Sequence, residues 1–136
     1  RRAARTETIR AALWGDRPAP IEVGEIVRTG KRDSSLGYVK HTRGTVTAIR
    51  RRTPTTTVCD VLLEDGLQLE ATPIDDEDLA APRCDGDWSY GYVSTVHTAQ
   101  GGEYREVTYL ASAIDSTRLA YTAITRAASK LNIVGF

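Results

Sequence analysis

The sequence predicts an α/β fold in which a parallel sheet with helices carries a small inserted β-barrel. Two changes in hydrophobic period along the chain lead to this prediction. Apolar residues recur every two positions through much of residues 21 to 74, which is typical of half-buried strands. After Tyr90 strands alternate with helical patterns, and such alternation indicates βαβ units and a parallel sheet.

The first element is predicted to be a helix from Arg2 to Trp14. Apolar and small residues recur there at helical spacing, and Gly15 follows as a C-terminal stop. Residues 16 to 20 contain two prolines and are predicted to be a linker.

Short strands are predicted from Ile21 onward. They cover residues 25 to 28, 44 to 50, 55 to 63 and 67 to 71. The last two are joined by Glu64-Asp65-Gly66, which is a strong signal for a hairpin turn. Four or five short strands across about 50 residues are typical of a small barrel of the SH3-like kind.

The remainder is predicted to alternate between helices and strands. We expect one helical turn near residues 75 to 81, and a helix that begins at Thr95 or Val96. The other elements are strands at residues 92 to 94, 106 to 111 and 131 to 134, and a helix from Ser116 to Ala128. The predicted organisation is therefore a helix and linker at residues 1–20, the barrel at 21–74 and the α/β part at 75–136.

Composition places the chain among globular domains of ordinary size. It has 136 residues, with 18 Lys and Arg balanced by 18 Asp and Glu. Thirteen of the basic residues precede Pro54, whereas residues 60 to 87 hold ten carboxylates and one Arg. This asymmetry permits a basic face on a chain without net charge.

Cysteine and histidine usage makes a metal site improbable. Cys59 and Cys84 lie 25 positions apart, without a partner at metal-ligand spacing, and only two histidines are present. Two reduced thiols are favoured over a disulfide, and a cytoplasmic location is expected. No run approaches the length of a membrane helix, and no signal peptide opens the chain. The lack of any Met indicates that the chain begins inside a longer reading frame or was trimmed.

Residues 95 to 103 form a candidate phosphate-contacting segment. A strand that ends at Thr95 and opens a helix places hydroxyls and free amide groups at a helix N-terminus, where a phosphate is favoured. The sequence Gln100-Gly101-Gly102-Glu103 then ends this helix, and its glycines permit a ligand to approach the backbone. A capped helix with such a stop needs no ligand, however, and the residues alone favour this plain alternative.

Arg126 is the second candidate. It falls near the C-terminus of a predicted helix that is otherwise largely apolar. The plain explanation is favourable pairing with the helix dipole, or a side chain whose stem covers the core. The functional explanation is an arginine finger that stabilises charge on a transferred phosphoryl group. The surrounding sequence Tyr-Thr-Ala-Ile-Thr-Arg-Ala, from Tyr121 to Ala127, favours the functional explanation.

These two segments together resemble the last two motifs of the superfamily-one DNA helicases. Thr95-Val96-His97 with Gln100 to Glu103 resembles motif V, and Tyr121 to Ala127 resembles motif VI. The likeness is to UvrD-like and RecD-like enzymes and to the helicase part of conjugative relaxases. It implies that the α/β part is a partial RecA-like, P-loop NTPase-type sheet. It also implies that residues 21–74 are the SH3-like insertion of those proteins.

The resemblance implies contacts to single-stranded DNA. Thr95 and His97 would contact the phosphodiester backbone of the bound strand, together with Thr98. A further run, Arg50-Arg51-Arg52, ends a predicted strand before a turn and is a candidate for phosphate contacts, although such runs are usually solvated surface.

The resemblance also implies contacts to ATP. Gln100 and Glu103 would connect the DNA contacts to the nucleotide pocket, with Gly102 beside them. Arg126 would reach the γ-phosphate from across the cleft between two motor domains. ATP with Mg would be bound mainly by an N-terminal motor domain that this chain lacks.

Two other features, the glycine-containing stretch at residues 24 to 32 and the aromatic pair Trp88 and Tyr90, are weaker candidates for ligand binding. Residues 24 to 32 resemble a phosphate-binding loop superficially, but five residues separate the glycines instead of four, and Arg32 replaces the required Ser or Thr. This stretch is better explained as a basic loop, with phosphate contact and a solvated turn both open. Trp88 and Tyr90 could stack on bases, although packing at the junction between barrel and sheet is favoured.

The sequence therefore predicts the C-terminal part of an ATP-dependent DNA helicase or translocase that is inactive alone. Its partners would be single-stranded DNA and the N-terminal motor domain of the same protein, with no membrane. The alternative is a stand-alone module that binds nucleic acid or protein without motor activity. A purely structural domain is a third possibility.

Overall fold

The computed structural model describes residues 2–15, 20–80, 86–95, 104–111 and 115–135. The chain divides into two compact units, which we call unit 1 (residues 1–93) and unit 2 (residues 94–136). Each unit is described by itself below.

The described residues of unit 1 form two helices and five strands. Its elements are α1 (Arg2–Trp14), β1 (Ile26–Thr29), β2 (Arg43–Arg52), β3 (Thr56–Leu63), β4 (Gln68–Asp75), α2 (Asp76–Ala80) and β5 (Trp88–Tyr90). The strands form one antiparallel sheet in the order β4-β3-β2-β1-β5. The predicted helix, the four predicted strands and the predicted helical turn after them are thus all present.

Two glycines end elements where the sequence predicted. Gly15 follows α1 with a φ of 67° and donates its N–H to the carbonyl of Ala11 at 2.9 Å. Gly66 has a φ of 93° in the turn between β3 and β4, and its N–H bonds to the Leu63 carbonyl at 2.9 Å. Both conformations are readily available only to glycine, so the local sequence determines where these elements end.

The sheet is irregular where β3 meets its neighbours. Register shifts occur twice between β2 and β3, and once between β3 and β4 at Cys59 and Val61. At the last of these, the Asp60 carboxylate accepts the N–H of Ala71 at 2.9 Å, and Ala71 has a φ of 50°. A side chain thus satisfies a backbone donor near a bulge, where the ladder is locally disrupted.

The core of unit 1 lies on the inner face of this sheet. Alternate residues of β3 are buried, as the period-two pattern requires. The core comprises Ile21, Val27, Tyr38, Val46, Cys59, Val61, Leu63, Leu69, Ile74, Leu79, Trp88 and Tyr90. Trp88 packs edge-on against Tyr38, with ring centroids 6.1 Å apart.

One predicted strand was wrong. We expected a strand at residues 92 to 94 that would start the parallel sheet. The strand instead spans Trp88–Tyr90 and pairs antiparallel with β1. Burial of both aromatic rings stabilises this earlier position, because each ring removes a large apolar area from water.

Unit 2 contains a βαβ arrangement. Its described elements are β6 (Tyr104–Ala111), α3 (Thr117–Ile124) and β7 (Ala127–Gly135). The two strands pair parallel to each other, from Tyr104 opposite Ala127 to Ala111 opposite Gly135. The prediction of parallel strands joined through a helix is confirmed for this pair. The predicted helix that begins at Thr95 or Val96 falls on residues 96–103, outside the described residues.

Helix α3 ends earlier than predicted. Ser116 caps its N-terminus, since the Ser116 hydroxyl accepts the N–H of Leu119 at 3.1 Å. The helix stops at Ile124, and Ala127 and Ala128 belong to β7 instead. Because Tyr104 donates its N–H to the Arg126 carbonyl at 2.7 Å, the chain is already part of the ladder there.

Over the described residues the fold is thus mixed α/β, with one antiparallel and one parallel sheet. An SH3-like barrel at residues 21–74 and a RecA-like character of the α/β part stay predictions.

Candidate functional site

Arg126 lies in the tight turn between α3 and β7, and not on the helix as predicted. Its backbone is held from both sides. The Arg126 N–H donates to the Ala123 carbonyl at 3.3 Å, and the Arg126 carbonyl accepts the Tyr104 N–H at 2.7 Å. A residue held through both backbone groups projects its side chain from a defined position.

The guanidinium of Arg126 is only partly satisfied. Its Nη2 donates to the Thr125 hydroxyl at 3.3 Å, which is a long and therefore weak hydrogen bond. Its Nε is buried and has no hydrogen-bond partner within the described part of the chain. A planar cation with unused donors is suited to an anionic ligand, because a phosphate accepts several such hydrogen bonds at once.

Thr125 connects this cation to helix α3. The Thr125 hydroxyl donates to the Thr122 carbonyl at 3.1 Å, and Thr122 in turn donates to the Arg118 carbonyl at 3.0 Å. The same Thr125 oxygen therefore satisfies one free carbonyl of the helix end and accepts from Arg126. On the same helix Tyr121 is 69% exposed, which leaves a large aromatic side chain in solvent.

The candidate segment that resembles motif V is described only at its start. Thr95 is exposed and follows three half-buried residues. The other residues predicted there lie outside the described residues: His97, Thr98, Gln100, Gly102 and Glu103.

The three arginines of the basic run, Arg50, Arg51 and Arg52, differ in their ion-pair partners. They occupy the end of β2, beside the turn to β3, where the sequence predicted a hairpin tip. Arg50 forms two bonds to Asp60, from Nε at 2.6 Å and from Nη2 at 3.1 Å. This pairing is the main reason that the pKa of Asp60 lies below its usual value, and the Ala71 N–H adds to it. Arg50 is therefore largely neutralised.

The other two arginines differ from each other. Arg52 pairs with Glu22 at 3.0 Å, with both side chains half-buried. Arg51 is exposed, and no described carboxylate lies within ion-pair distance of it. Of the three, Arg51 is thus the side chain most accessible to an external phosphate.

Trp88 and Tyr90 do not form a base-stacking platform. Both are buried in the core of unit 1, and the Tyr90 hydroxyl donates to the Pro20 carbonyl. The Arg10 guanidinium lies 4.9 Å from the centre of the Tyr90 ring. Both aromatics thus pack inside unit 1, and their packing at a junction between barrel and sheet stays a prediction.

The loop after β1 retains part of its basic character. Lys31 pairs with Asp87 at 2.8 Å, whereas the neighbouring Arg32 is exposed. Asp33 organises the turn through its carboxylate, which accepts the Ser35 N–H, the Ser35 hydroxyl and the Leu36 N–H. Four of the five residues between Gly24 and Gly30, Ile26–Thr29, form strand β1, so this stretch is not a phosphate-binding loop.

Sequence analysis missed the residues that hold positions 91 to 93. Arg43 donates to the Gly91 carbonyl at 3.0 Å, and Arg28 donates to the Val93 carbonyl at 3.1 Å. Between them, the Tyr92 hydroxyl donates to buried Glu25 at 2.6 Å. Hydrophobic periodicity carries no signal for charged side chains that turn inward, so no pattern in the sequence could have identified them.

The described residues contain neither a candidate metal site nor a candidate membrane-spanning helix. No group of three or more His, Cys, Asp or Glu side chains there could hold a metal ion. Among the described helices, none has both the length and the apolar character needed to span a membrane.

A family model of known proteins matches the C-terminal third of the chain. Residues 90–134 match the family model for the UvrD-like helicase C-terminal domain. This range includes β6, α3, nearly all of β7 and both candidate motifs. A search of the curated proteins found no match.

Solved helicase structures share the fold over nearly the whole chain. The Pif1 helicase from Bacteroides in complex with ADP-AlF3 and ssDNA superposes with a TM-score of 0.64 at 16% identity, over 97% of this chain and 38% of that one. The Pif1 helicase from Candida albicans gives 0.54 at 19% identity, over 96% and 36%. The chain therefore spans less than two fifths of the helicases that it resembles.

At these identities the structural likeness concerns the fold, while the family model concerns residues 90–134. The predicted resemblance to the C-terminal region of a superfamily-one DNA helicase is thereby confirmed.

Proposed function

We propose that this chain is the C-terminal part of an ATP-dependent DNA helicase or translocase. In the complete protein it would contribute contacts to single-stranded DNA and an arginine that reaches the γ-phosphate of ATP. The whole activity would need an N-terminal motor domain, because the chain itself has no phosphate-binding loop.

The observation that carries this proposal is the state of Arg126. It lies inside the matched domain, its backbone is held by Ala123 and Tyr104, and its buried Nε has no partner among the described residues. An unsatisfied buried donor is unfavourable unless a ligand completes it. A γ-phosphate would supply the acceptor and gain stabilisation as charge develops during transfer.

The solved relatives support the ligand classes. The Bacteroides Pif1 helicase is described in complex with ADP-AlF3 and ssDNA. We infer that this protein also takes ATP and a single strand of DNA. Mg is proposed to accompany ATP, held by the N-terminal motor domain, since no described cluster of this chain fits a metal.

We assign the DNA contacts to the segment that begins at Thr95. Thr95, His97 and Thr98 would donate hydrogen bonds to the phosphodiester backbone, and Gln100, Gly102 and Glu103 would connect them to the nucleotide. Of the basic run, Arg51 would contribute most, because Arg50 and Arg52 already pair with carboxylates.

Unit 2 exposes apolar side chains in a way that supports a larger protein. Ile133 is 57% exposed and Val134 is 48% exposed, although successive residues of a strand point to opposite faces. Parallel sheets in proteins are normally covered on both faces. Further elements of the complete protein would bury both side chains.

The proposal can be tested at the level of the gene and of the isolated chain. The reading frame upstream of Arg1 should encode a strand followed by Gly-x-x-x-x-Gly-Lys-Thr or Gly-x-x-x-x-Gly-Lys-Ser. The purified chain should show no ATP turnover. Turnover by this chain that Arg126→Ala abolishes would contradict the proposal.

The rival module without motor activity predicts different binding. The isolated chain would bind single strands of DNA tightly and with a steep salt dependence. Addition of nucleotide would change neither the affinity nor its salt dependence. Loss of ATP turnover on removal of Arg126 in the complete protein would exclude this rival.

A further inference from the structure

Three consecutive residues of the chain are held by unit 1 just before the proposed DNA contact. The Arg43 Nε donates to the Gly91 carbonyl at 3.0 Å, and the Arg28 Nη1 donates to the Val93 carbonyl at 3.1 Å. Tyr92, between them, is held through its hydroxyl. We call residues 91–93 and these contacts the 91–93 clamp.

The Tyr92 hydroxyl joins three parts of unit 1. It donates to Oε1 of Glu25 at 2.6 Å and accepts the indole N–H of Trp14 at 2.9 Å and the Ile26 N–H at 3.2 Å. Helix α1, the start of β1 and residue 92 thus meet at one oxygen atom. A phenylalanine would fill the same space but make none of these bonds.

Gly91 brings the chain into close contact with β1. Its N–H bonds to the Ile26 carbonyl at 2.9 Å. A Cβ atom at this position would lie 2.9 Å from the Val27 carbonyl oxygen, which belongs to the backbone and cannot turn away. The chain therefore leaves β5 along a single path.

Charged side chains make this clamp, and two of the three are buried, whereas the Arg43 side chain is 26% exposed. Glu25 is fully buried and Arg28 is 4% exposed. Burial of charge contributes little net stability, because desolvation offsets the attraction, whereas it can specify one conformation. An apolar core would hold the sheet together equally well but would leave residues 91–93 without a fixed direction.

We propose that Arg28, Arg43 and Glu25 are positioning residues for the DNA contact at Thr95. Thr95 follows Val93 by two residues, so the chain can carry it no more than about 7 Å from the clamped position. The inference rests on the proposed DNA contact of Thr95. It adds that contacts within unit 1 hold the backbone at Val93, two residues before that contact.

The test uses the full-length protein that carries this chain and a labelled oligothymidylate at one fixed salt concentration. Arg43→Met removes the guanidinium that holds Gly91 while retaining an apolar stem. The matched control is Glu64→Gln, which removes a different partner of Arg43, in an exposed ion pair at 3.0 Å, but leaves the Gly91 bond. Thr95→Ala removes the contact itself.

We expect Thr95→Ala and Arg43→Met each to weaken binding of the oligonucleotide about tenfold, which corresponds to one charge-assisted hydrogen bond. Glu64→Gln should change the affinity less than twofold. The loss of affinity in the double variant should be smaller than the product of the two single losses, because both changes act on one contact. Affinity for ATP should stay the same in all four variants.

A structural role alone would not produce this coupling. If Thr95→Ala weakens binding but Arg43→Met behaves like Glu64→Gln, the positioning role is wrong and the DNA contact stands. A loss of affinity in the double variant that equals the product of the two single losses would also overturn the positioning role. If Thr95→Ala leaves the affinity unchanged, the DNA contact is wrong and the inference falls with it.

Tyr92→Phe provides a second variant should Arg43→Met fail to fold. It removes one hydroxyl from the clamp and keeps the ring. We expect the same weaker binding and the same coupling to Thr95→Ala, with tryptophan fluorescence verifying that unit 1 is folded. An affinity equal to that of the unchanged protein would contradict the positioning role.

Discussion

Arg10 and Glu25 form a two-bond ion pair that fixes helix α1 to the start of β1. The Arg10 Nε lies 3.0 Å from Oε1 and its Nη2 lies 3.0 Å from Oε2 of a carboxylate that is fully buried. The same Nη2 also donates to the Pro20 carbonyl at 2.8 Å. All these groups belong to unit 1, so the pair affects the stability of that unit directly.

Replacement of Glu25 by Ala should destabilise unit 1 by about 3 to 5 kcal/mol. The change leaves the Arg10 cation half-buried without its main partner, and breaking a buried pair from one side is strongly destabilising. Both tryptophans, Trp14 and Trp88, belong to unit 1, so urea unfolding followed by tryptophan fluorescence measures the effect. Glu22→Gln is the control, because its pair with Arg52 is half-exposed and worth at most about 1 kcal/mol. Equal effects of the two changes would contradict the buried pair.

Unit 1 should lose stability at alkaline pH through Cys59. Burial, as the largest cause, and the nearby Asp60 raise the pKa of this thiol from 9.0 to about 11. Because the folded pKa lies above the unfolded pKa, the contribution is fully present below about pH 9 and is lost as pH rises toward 11. The expected loss is roughly 1 to 3 kcal/mol between these values, measured by urea unfolding in a Cys84→Ser background.

Cys59→Ala serves as the control for this pH dependence. The variant should start from a lower stability because it leaves a cavity, but its stability should fall less between pH 9 and 11. Burial also raises the pKa of Tyr90, so part of the alkaline loss should remain in the variant. Identical slopes for both proteins would show that the thiol does not titrate as described.

Ala71→Gly should stabilise unit 1 by about 0.5 to 1 kcal/mol. Ala71 has a φ of 50°, a conformation that is unfavourable for a residue with a Cβ atom and free of that penalty for glycine. The greater entropy of the unfolded glycine chain offsets part of the gain. Thermal unfolding of the two proteins measures the difference. A lower stability of the glycine variant would contradict the strain assigned to Ala71, because glycine keeps the backbone N–H that bonds to Asp60.

The basic run should divide between DNA binding and stability. In the full-length protein, Arg51→Gln should reduce the slope of log affinity for single-stranded DNA against log salt by about 0.7, the value for one phosphate contact. Arg50→Gln should change that slope less, because Asp60 already pairs with this side chain. Titration with a labelled oligonucleotide at several salt concentrations measures both. A larger effect from Arg50 than from Arg51 would contradict the assignment.

Local signals predicted most of unit 1. Gly15 and Gly66 end their elements as expected, because each adopts a positive φ, which a glycine at such a position predicts. The position of β5 was missed, since a three-residue strand has too few alternations to show a period and is stabilised by burial of Trp88 and Tyr90. Tertiary packing decided this element, and a single sequence does not display packing.

The candidate site was predictable in part. The Tyr-Thr-Ala-Ile-Thr-Arg-Ala sequence indicated Arg126, but helical periodicity placed it on α3 when it lies in the following turn. The apolar residues Ala127 and Ala128 continue a helical pattern equally well as a strand, and the bond from Tyr104 to Arg126 decides for the strand. The pairing of Arg50 and Arg52 depends on Asp60 and Glu22, which only the fold brings close.

The central claim is that Arg126 acts on the γ-phosphate. The most direct measurement compares ATP turnover and ATP affinity of the full-length protein with those of its Arg126→Ala variant, with Arg118→Ala in the preceding helix α3 as a control. The account predicts that Arg126→Ala lowers kcat by about 10³ or more while the Kd for ATP changes little, and that the control has near-normal turnover. Equal loss of affinity and turnover, or turnover that Arg126→Ala leaves unchanged, would contradict it.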